Sequence, residues 1–231
     1  IEAIKLNLNG IKNLSKERIL NELYKIFKLK NINILAENKE IKSIFLIAFP
    51  EFKYLDRLEK FIPLLKTNIL LEPLPLEIFF SVLLVDEKDN YEYFCHKYKV
   101  SNKLKKHLNF IAVNYIKFKG EKNYLKKDLK KNVYSLGKNN IKKLLIFICS
   151  TELKFSSKLL YNTIEEINKM DIPDFPFNGQ YLIDKGLLDG RKIGYALKEL
   201  EREWLQKDFN LKTNEVTSIV DKIKKLNILN I

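Results

Sequence analysis

The chain has 231 residues, of which 46% are hydrophobic, and it carries 42 Lys and Arg against 29 Asp and Glu. A chain of this length buries about 70% of its unfolded surface on folding, so the composition excludes a disordered chain and predicts one or two globular domains. The net charge of +13 indicates a polyanionic partner if the excess gathers on one face. The longest apolar run, around residues 78–85, is far shorter than the roughly 20 residues of a membrane-spanning helix, which argues against a membrane partner.

The predominance of lysine over arginine weakens the inference from net charge to nucleic-acid binding. Only four of the 42 basic residues are arginine, and the chain is also rich in Asn and Ile. That combination is typical of an AT-rich genome, so we discount about half of the charge excess as an indication of nucleic-acid binding.

The cysteines and histidines indicate the compartment and argue against a metal site. Cys95 and Cys149 lie far apart with no CxxC pair, which predicts buried free thiols in a reducing, cytoplasmic setting. Residues 1–9 interleave polar and apolar side chains, unlike a secretory signal. The spacing of His96 and His107 matches no zinc pattern, so we expect no metal in this chain.

The first third of the chain reads as helical. Only seven glycines occur in the whole sequence, so tight turns should be scarce. Ser15 is a good N-cap for an amphipathic helix that should run to about residue 29. Two further apolar series, at residues 41–48 and 55–65, complete a first helical cluster that ends near residue 66.

The middle of the chain continues the helical pattern. Pro75 is well placed to begin a buried helix at residues 76–85, and Ser101 should cap an amphipathic one. Gly120 and Gly137 bound a strongly basic segment, predicted as a helix over residues 123–136. Other helical segments are predicted at residues 91–98, 141–149 and 155–170. A proline-rich link at 171–176 is the clearest internal boundary.

Four of the seven glycines fall between residues 179 and 194. Asn178 should cap a short helix that stops at Gly186, and Asp189 a longer one. Gly190 and Gly194 would leave a stripe without side chains near the start of this second helix. Either a phosphate on the exposed amides or a tightly packed helix could occupy that stripe.

Motifs for catalysis are missing from the sequence. It contains no GxGxxG, GxxxxGK[ST], GxSxG, HExxH or Asp-x-Asp pattern, so dinucleotide binding, a P-loop, a hydrolase elbow and a two-metal centre have no sequence support.

A family resemblance emerges from the tail pattern, Phe-Pro-x-x-Gly-x-x-Leu-Ile-x-x-Gly-Leu-x-x-Gly-x-x-Ile-Gly-x-x-Leu-x-x-Leu-Glu-x-x-Trp, at residues 175–204. It resembles the C-terminal region of bacterial CCA-adding enzymes (tRNA nucleotidyltransferases) and their poly(A) polymerase relatives. Three further segments are similar to the start and end of that family's neck and to a helix start in its body: Ser15-Lys16-Glu17-Arg18-Ile19, Phe49-Pro50-Glu51 and Tyr98-x-Val100-Ser101-Asn102.

The resemblance implies an all-α, elongated helical array without the family's catalytic β-sheet head. It divides the chain into a neck-like part (1–66), a body-like part (67–172) and a tail-like part (173–231). The head motifs Gly-Ser, Asp-x-Asp and Glu-Asp are absent, and the chain opens with Ile1. We therefore expect this chain alone to be inactive, with magnesium and CTP or ATP binding to a head that is lost or supplied by a separate polypeptide.

Site residues follow from the same resemblance. Ser15, Glu17 and Arg18 would support the nucleotide pocket, or else form an ordinary capped helix start. The RNA partner, tRNA or another structured RNA, would be held by its phosphates. The residues expected at that interface are Lys103, Lys105, Lys106, Lys126, Lys127, Lys130, Asn178, Gly179, Lys185, Gly190, Arg191 and Lys192.

Two other functions remain open at this point. One is a basic helical protein-interaction module without an RNA role, and the other is helical binding of duplex DNA through the glycine-rich turns. The sequence also leaves open whether the related enzyme adds CCA, CC, A or poly(A).

Overall fold

The computed structural model describes residues 8–65, 75–121, 124–126 and 128–226. The chain divides into two compact units, residues 1–170 and 171–231. The described residues form helices and contain no strand, which confirms the predicted all-α class. None of the described helices is both long and apolar enough to cross a bilayer.

The first unit contains ten described α-helices and two described 3₁₀ segments. Its two 3₁₀ segments are Leu8–Asn13 and Leu55–Arg57. Its α-helices are α1 (Lys16–Ile26), α2 (Ile34–Glu37), α3 (Lys39–Ala48), α4 (Leu58–Leu65), α5 (Glu77–Leu84), α6 (Asn90–Tyr98), α7 (Asn102–Gly120), α8 (Leu129–Leu136), α9 (Lys138–Thr151) and α10 (Ser157–Lys169).

The second unit has three described helices. They are α11 (Gly179–Asp184), α12 (Gly190–Gln206) and α13 (Thr213–Lys225). The predicted boundary between residues 66 and 67 lies outside the described residues, so the division of the first 172 residues into two parts stays a prediction.

Side-chain caps begin several of these helices where the sequence predicts them. The Ser15 Oγ accepts a hydrogen bond from the Arg18 amide at 3.2 Å, and the Ser101 Oγ accepts one from the Leu104 amide at 3.3 Å. Each cap satisfies one of the amides that a helix start leaves without a backbone partner.

Helix α1 ends three residues earlier than predicted, at Ile26. The chain tightens there into short-range turns in which the amides of Lys28 and Leu29 donate to carbonyls three residues back. This turn allows both Phe27 and Ile32 to be buried.

The predicted basic helix at 123–136 is wrong at residues 124–126 and 128, because α8 begins only at Leu129. Residues 124–126 form a turn instead. The Tyr124 hydroxyl donates to the Asn114 Oδ1 at 2.8 Å, and the Asn132 Nδ2 donates to the Tyr124 carbonyl at 2.7 Å. Burial of Tyr124 between α7 and α8 therefore replaces a helical turn.

A cluster of phenylalanine rings fills the core of the first unit. Phe52 lies within 6.3 Å, centroid to centroid, of five other rings. Those rings are Phe27, Phe45, Phe49, Phe80 and Phe94. Phe80 belongs to helix α5, in which every residue from Ile78 to Leu84 is buried, as its nearly continuous apolar sequence requires.

Arg57, the last residue of the second 3₁₀ segment, bonds this segment to helix α5. Its Nη1 donates to the carbonyls of Val82 and Val85, at 2.9 and 2.7 Å, at the end of α5. The guanidinium also lies 3.8 Å from the Tyr54 ring centroid. Burial lowers the pKa of Arg57 from its usual value, and the charge is offset by the carbonyl dipoles at the helix end.

The second unit has its own core. Leu182, Leu200 and Trp204 are buried together with Val216 and Val220. The Trp204 ring meets two phenylalanines edge-on, one on each side along the chain, Phe175 at 5.5 Å and Phe209 at 4.9 Å. Gly186 has φ +83° after α11, a left-handed conformation that favours glycine, and so fulfils its predicted role as a helix stop.

Candidate nucleic-acid interface

The positive charge is concentrated in one stretch of the chain. Residues 171–231 contain ten basic and ten acidic side chains, so the whole excess belongs to residues 1–170. Within that unit, residues 99–143 hold fourteen basic side chains and only two acidic ones, Glu121 and Asp128. We call residues 99–143 the basic segment.

Helix α7 is the longest element of the basic segment and has no acidic residue. Lys103, Lys105 and Lys106 lie at its start, and Lys117 and Lys119 lie in its last turn. The N-terminus of a helix carries a partial positive charge, which stabilises a nearby anion by about 0.3–1 kcal/mol. At the start of α7 this partial charge adds to the charges of the three lysines, so the helix start attracts anions.

The three lysines at the start of α7 differ in their partners. Lys103 Nζ pairs with the Glu77 carboxylate at 2.8 Å, and this contact raises the pKa of Lys103 above its usual value. Lys105 and Lys106 are exposed and form no ion pair with a described residue. Their charges are thus available to an external anion.

The turn after α7 brings further lysines alongside. Lys126 is exposed beside the buried Tyr124 and forms no ion pair with a described residue, and Lys130 is exposed on α8. Lys131 lies 3.8 Å from the Asp128 carboxylate. Lys127 lies outside the described residues.

His107 on α7 contributes no charge to this surface near neutral pH. Its Nε2 lies 2.8 Å from the Ser81 Oγ. Burial, assisted by the nearby Lys143, lowers the pKa of His107 to about 4.

No group of three or more His, Cys, Asp or Glu side chains within the described part of the chain could hold a metal ion. Cys95 and Cys149 are both buried.

The predicted nucleotide-pocket residues lie at the start of α1. Ser15 acts as its N-cap, while Glu17 and Arg18 are exposed. They border a shallow depression that also includes Tyr24 and Lys28. Their placement fits the ordinary capped helix start, and a supporting role in nucleotide binding stays a prediction.

In the second unit, the predicted caps occupy the helix starts. The Asn178 Oδ1 accepts from the Tyr181 amide at 2.9 Å, just after Gly179 begins α11. The Asp189 Oδ1 accepts from the amides of Arg191 and Lys192, at 2.9 and 3.0 Å. The two amides that would cradle a phosphate are therefore bonded to a carboxylate of the chain itself.

The glycine stripe of α12 is open. A Cβ added at Gly190 or Gly194 would meet no described atom within 4 Å. The alternative in which another helix packs tightly on this stripe is therefore not observed among the described residues.

Lysines converge beside Gly186 in the second unit. The Lys192 Nζ donates to the Lys224 carbonyl at 2.9 Å, and the Lys224 side chain lies 3.8 Å from the Cβ position of Gly186. Lys185 directly precedes Gly186, and its Nζ lies 5.7 Å from the Tyr181 ring centroid. The Lys224 Nζ also lies 3.4 Å from the Asp221 carboxylate. We call Lys185, Lys192 and Lys224 the second-unit lysine cluster.

Sequence reasoning missed two basic residues of these surfaces, Lys143 beside His107 and Lys224 beside Gly186. Both come close to the predicted residues only through packing between helices distant in sequence. The one available signal was the basic last turn of α13, where Lys222, Lys224 and Lys225 complement the helix dipole.

Comparison with known proteins adds one relative. No protein-family model matches the sequence. The chain is 28% identical, over an alignment of 234 residues covering 97% of its length, to a CCA-adding enzyme of Staphylococcus haemolyticus (strain JCSC1435). It spans 54% of that protein, about half its length. The match supports a relationship between this chain and the CCA-adding enzymes.

Proposed function

We propose that this chain is the tRNA-holding helical part of a CCA-adding enzyme or poly(A) polymerase relative. The observation that carries the proposal is the composition of the basic segment, which contains fourteen basic residues and only two acidic ones. Because the chain is related to a CCA-adding enzyme, tRNA is the polyanion that we expect it to bind.

Binding would proceed through phosphates and not through bases. Lys106 and Lys117 are both exposed on α7 and form no ion pair with a described residue. At 1.5 Å and 100° per residue they lie on the same face of the helix, about 16 Å apart along its axis. Lysines so distributed can follow an RNA backbone over several nucleotides, and such contacts are independent of sequence and weaken as salt rises. The second-unit lysine cluster would add a second backbone contact.

Nucleotide transfer itself is assigned to residues outside this sequence. The two-metal chemistry of nucleotidyl transfer needs clustered carboxylates, and the sequence has no Asp-x-Asp pair. A head that binds magnesium and CTP or ATP would come from the same longer protein or from a separate polypeptide.

The test replaces three exposed lysines of the basic segment, Lys105, Lys106 and Lys126, with glutamine. Its matched control replaces three exposed lysines elsewhere in the first unit, Lys30, Lys53 and Lys158. Both triple variants lose the same net charge. Binding of tRNA would be measured by fluorescence anisotropy from 50 to 400 mM salt, with heparin and duplex DNA as competitors.

The basic-segment variant should lose about one unit of salt slope per phosphate contact and about fivefold in affinity per contact at 0.15 M salt. The control variant should bind like the parent chain. Equal loss in both variants would show that only total charge matters and would overturn the proposal. Equal affinity for duplex DNA would favour a DNA-binding role, and absence of nucleic-acid binding would favour the protein-interaction module.

A further inference from the structure

A cavity of about 510 Å³ lies beside the basic segment, at the junction of the end of α7, the turn that follows it and the start of α10. Its apolar lining comes from Phe118, Leu125, Phe155 and Leu159. The Phe118 and Phe155 rings meet edge-on at 6.4 Å. The volume falls within the usual range for small-ligand sites, roughly 300–1,000 Å³.

Charged side chains also line the cavity. Three are lysines, Lys119, Lys126 and Lys154, and two are glutamates, Glu121 and Glu152. Lys119 is engaged by Glu87 and Glu152, at 3.0 and 3.5 Å. Lys126 and Lys154 are exposed and form no ion pair with a described residue. The cavity therefore pairs an aromatic and aliphatic interior with free cations at its edge.

Glu152 is one of four polar, non-lysine residues of the cavity wall, with Glu121, Tyr124 and Thr163. Its Oε1 accepts a hydrogen bond from the Tyr115 hydroxyl, whose pKa is raised to about 12 by burial and by this contact. The carboxylate is thus held in place between Tyr115 and Lys119. A fixed carboxylate of this kind accepts hydrogen bonds from exocyclic amino groups of bases.

We infer that this cavity receives one unstacked nucleotide of the bound RNA, with the base against Phe118 and Phe155 and the flanking phosphates on Lys126 and Lys154. The inference rests on the proposed function, since the RNA is brought there by the basic segment. Charge complementarity favours this occupant, because the lining carries three lysines against two glutamates and an RNA nucleotide combines a flat π-face with a phosphate on each side. Single-stranded RNA is recognised in this way through stacking on aromatic side chains and cationic grooves.

The probe is an RNA pentamer of adenosines with a central 2-aminopurine, titrated with the full 231-residue chain. Stacking in the cavity should quench the fluorescence saturably. A pentamer with a central abasic site should compete about tenfold more weakly. Equal competition by the abasic pentamer would overturn the inference. AMP should compete far more weakly than the pentamer, and AMP affinity equal to that of the pentamer would overturn RNA as the occupant.

Two substitutions of leucine locate the binding site. Leu159 lines the cavity and is 44% exposed, while the nearby Leu153 is 88% exposed and does not line it. Leu159→Glu should weaken pentamer binding on the order of fivefold more than Leu153→Glu, although both add the same charge. Equal effects would overturn the inference. Phe155→Ala, checked for folding by thermal unfolding, should abolish the quenching.

Parallel tRNA titrations separate this inference from the proposed function. Salt-dependent tRNA binding without base-dependent quenching would overturn the cavity assignment alone. If the unsubstituted chain binds neither tRNA nor the pentamer, the proposed function is overturned as well.

Discussion

The two units use their charged residues in opposite ways. In the second unit ten basic residues are balanced by ten acidic ones, and several are paired, such as Arg202 with Glu199 and Lys207 with Glu215. In the basic segment of the first unit, fourteen basic residues meet two acidic ones. The base composition of an AT-rich genome would act on both units alike, so it does not by itself explain this difference. The imbalance is a property of the basic segment itself.

The units also differ in how their cores are built. The first unit spreads its aromatic contacts over a network of phenylalanines around Phe52. In the second unit the ring contacts form one line, from Tyr181 through Phe177 and Phe175 to Trp204 and Phe209. Of these five rings only Trp204 is buried. A small unit with one buried ring is more vulnerable to loss of that ring, because the remaining core is limited.

The largest expected effect tests this difference. Trp204→Ala should lower the free energy of unfolding of the second unit by about 3–5 kcal/mol, because it removes a buried ring and leaves a cavity. That loss approaches the entire stability expected of so small a unit. Hydrogen exchange should show amides of α12 and α13 losing protection while those of α9 keep theirs.

Leu188→Ala serves as the control for this variant, since Leu188 is 81% exposed in the same unit, and it should change stability by less than about 0.5 kcal/mol. If α9 loses protection together with α12 in the tryptophan variant, the two units unfold as one and the comparison between separate cores fails.

A smaller effect concerns pH and arises from His107 in the first unit, which holds both histidines of the chain. The folded-state pKa of His107, about 4, lies below its ordinary value of 6.5, so the unfolded chain binds the proton more tightly. Stability from burying the neutral ring is therefore present above pH 6.5 and is lost as pH falls towards 4. Between pH 7 and 4.5 the loss should be about 2 kcal/mol.

Urea unfolding at several pH values checks this. His107→Gln should flatten the pH dependence of the first unit, whereas His96→Gln, at an exposed position, should leave it unchanged. Identical pH profiles for the parent chain and His107→Gln would contradict a buried neutral histidine.

Local features were predictable from the sequence, whereas features that depend on packing were not. The caps Ser15, Ser101, Asn178 and Asp189 act as predicted because each bonds only to amides two or three residues away. The start of α8 was mispredicted because Tyr124 bonds to Asn114, on a different helix. Nothing in the local pattern of residues 123–128 records that contact.

The candidate site divides in the same way. A lysine-rich segment is visible in the sequence, and so is its scarcity of acids. The ion pair of Lys103 with Glu77 joins residues 26 positions apart, and the cavity brings together Phe118 and Phe155. Which lysines are free, and where an apolar cavity adjoins them, depends on the packing of whole helices.

The smallest expected effect asks whether the second unit also contacts RNA. Asp189→Asn keeps a good N-cap and so should leave stability nearly unchanged, but it removes the negative charge that accepts from the Arg191 and Lys192 amides. If this helix start faces a phosphate, tRNA affinity should rise by about two- to fivefold at low salt, because one repulsive charge is removed. Anisotropy titrations at 50 and 200 mM salt measure this rise and its screening.

Glu203→Gln is the matched control, since it removes the same charge from α12 about 20 Å further along the helix. It should leave tRNA affinity unchanged. A rise with both variants would mean that RNA senses only the net charge of the second unit. No rise with Asp189→Asn would exclude a phosphate contact at the start of α12, and any contact of the second unit with RNA would then depend on its lysine side chains.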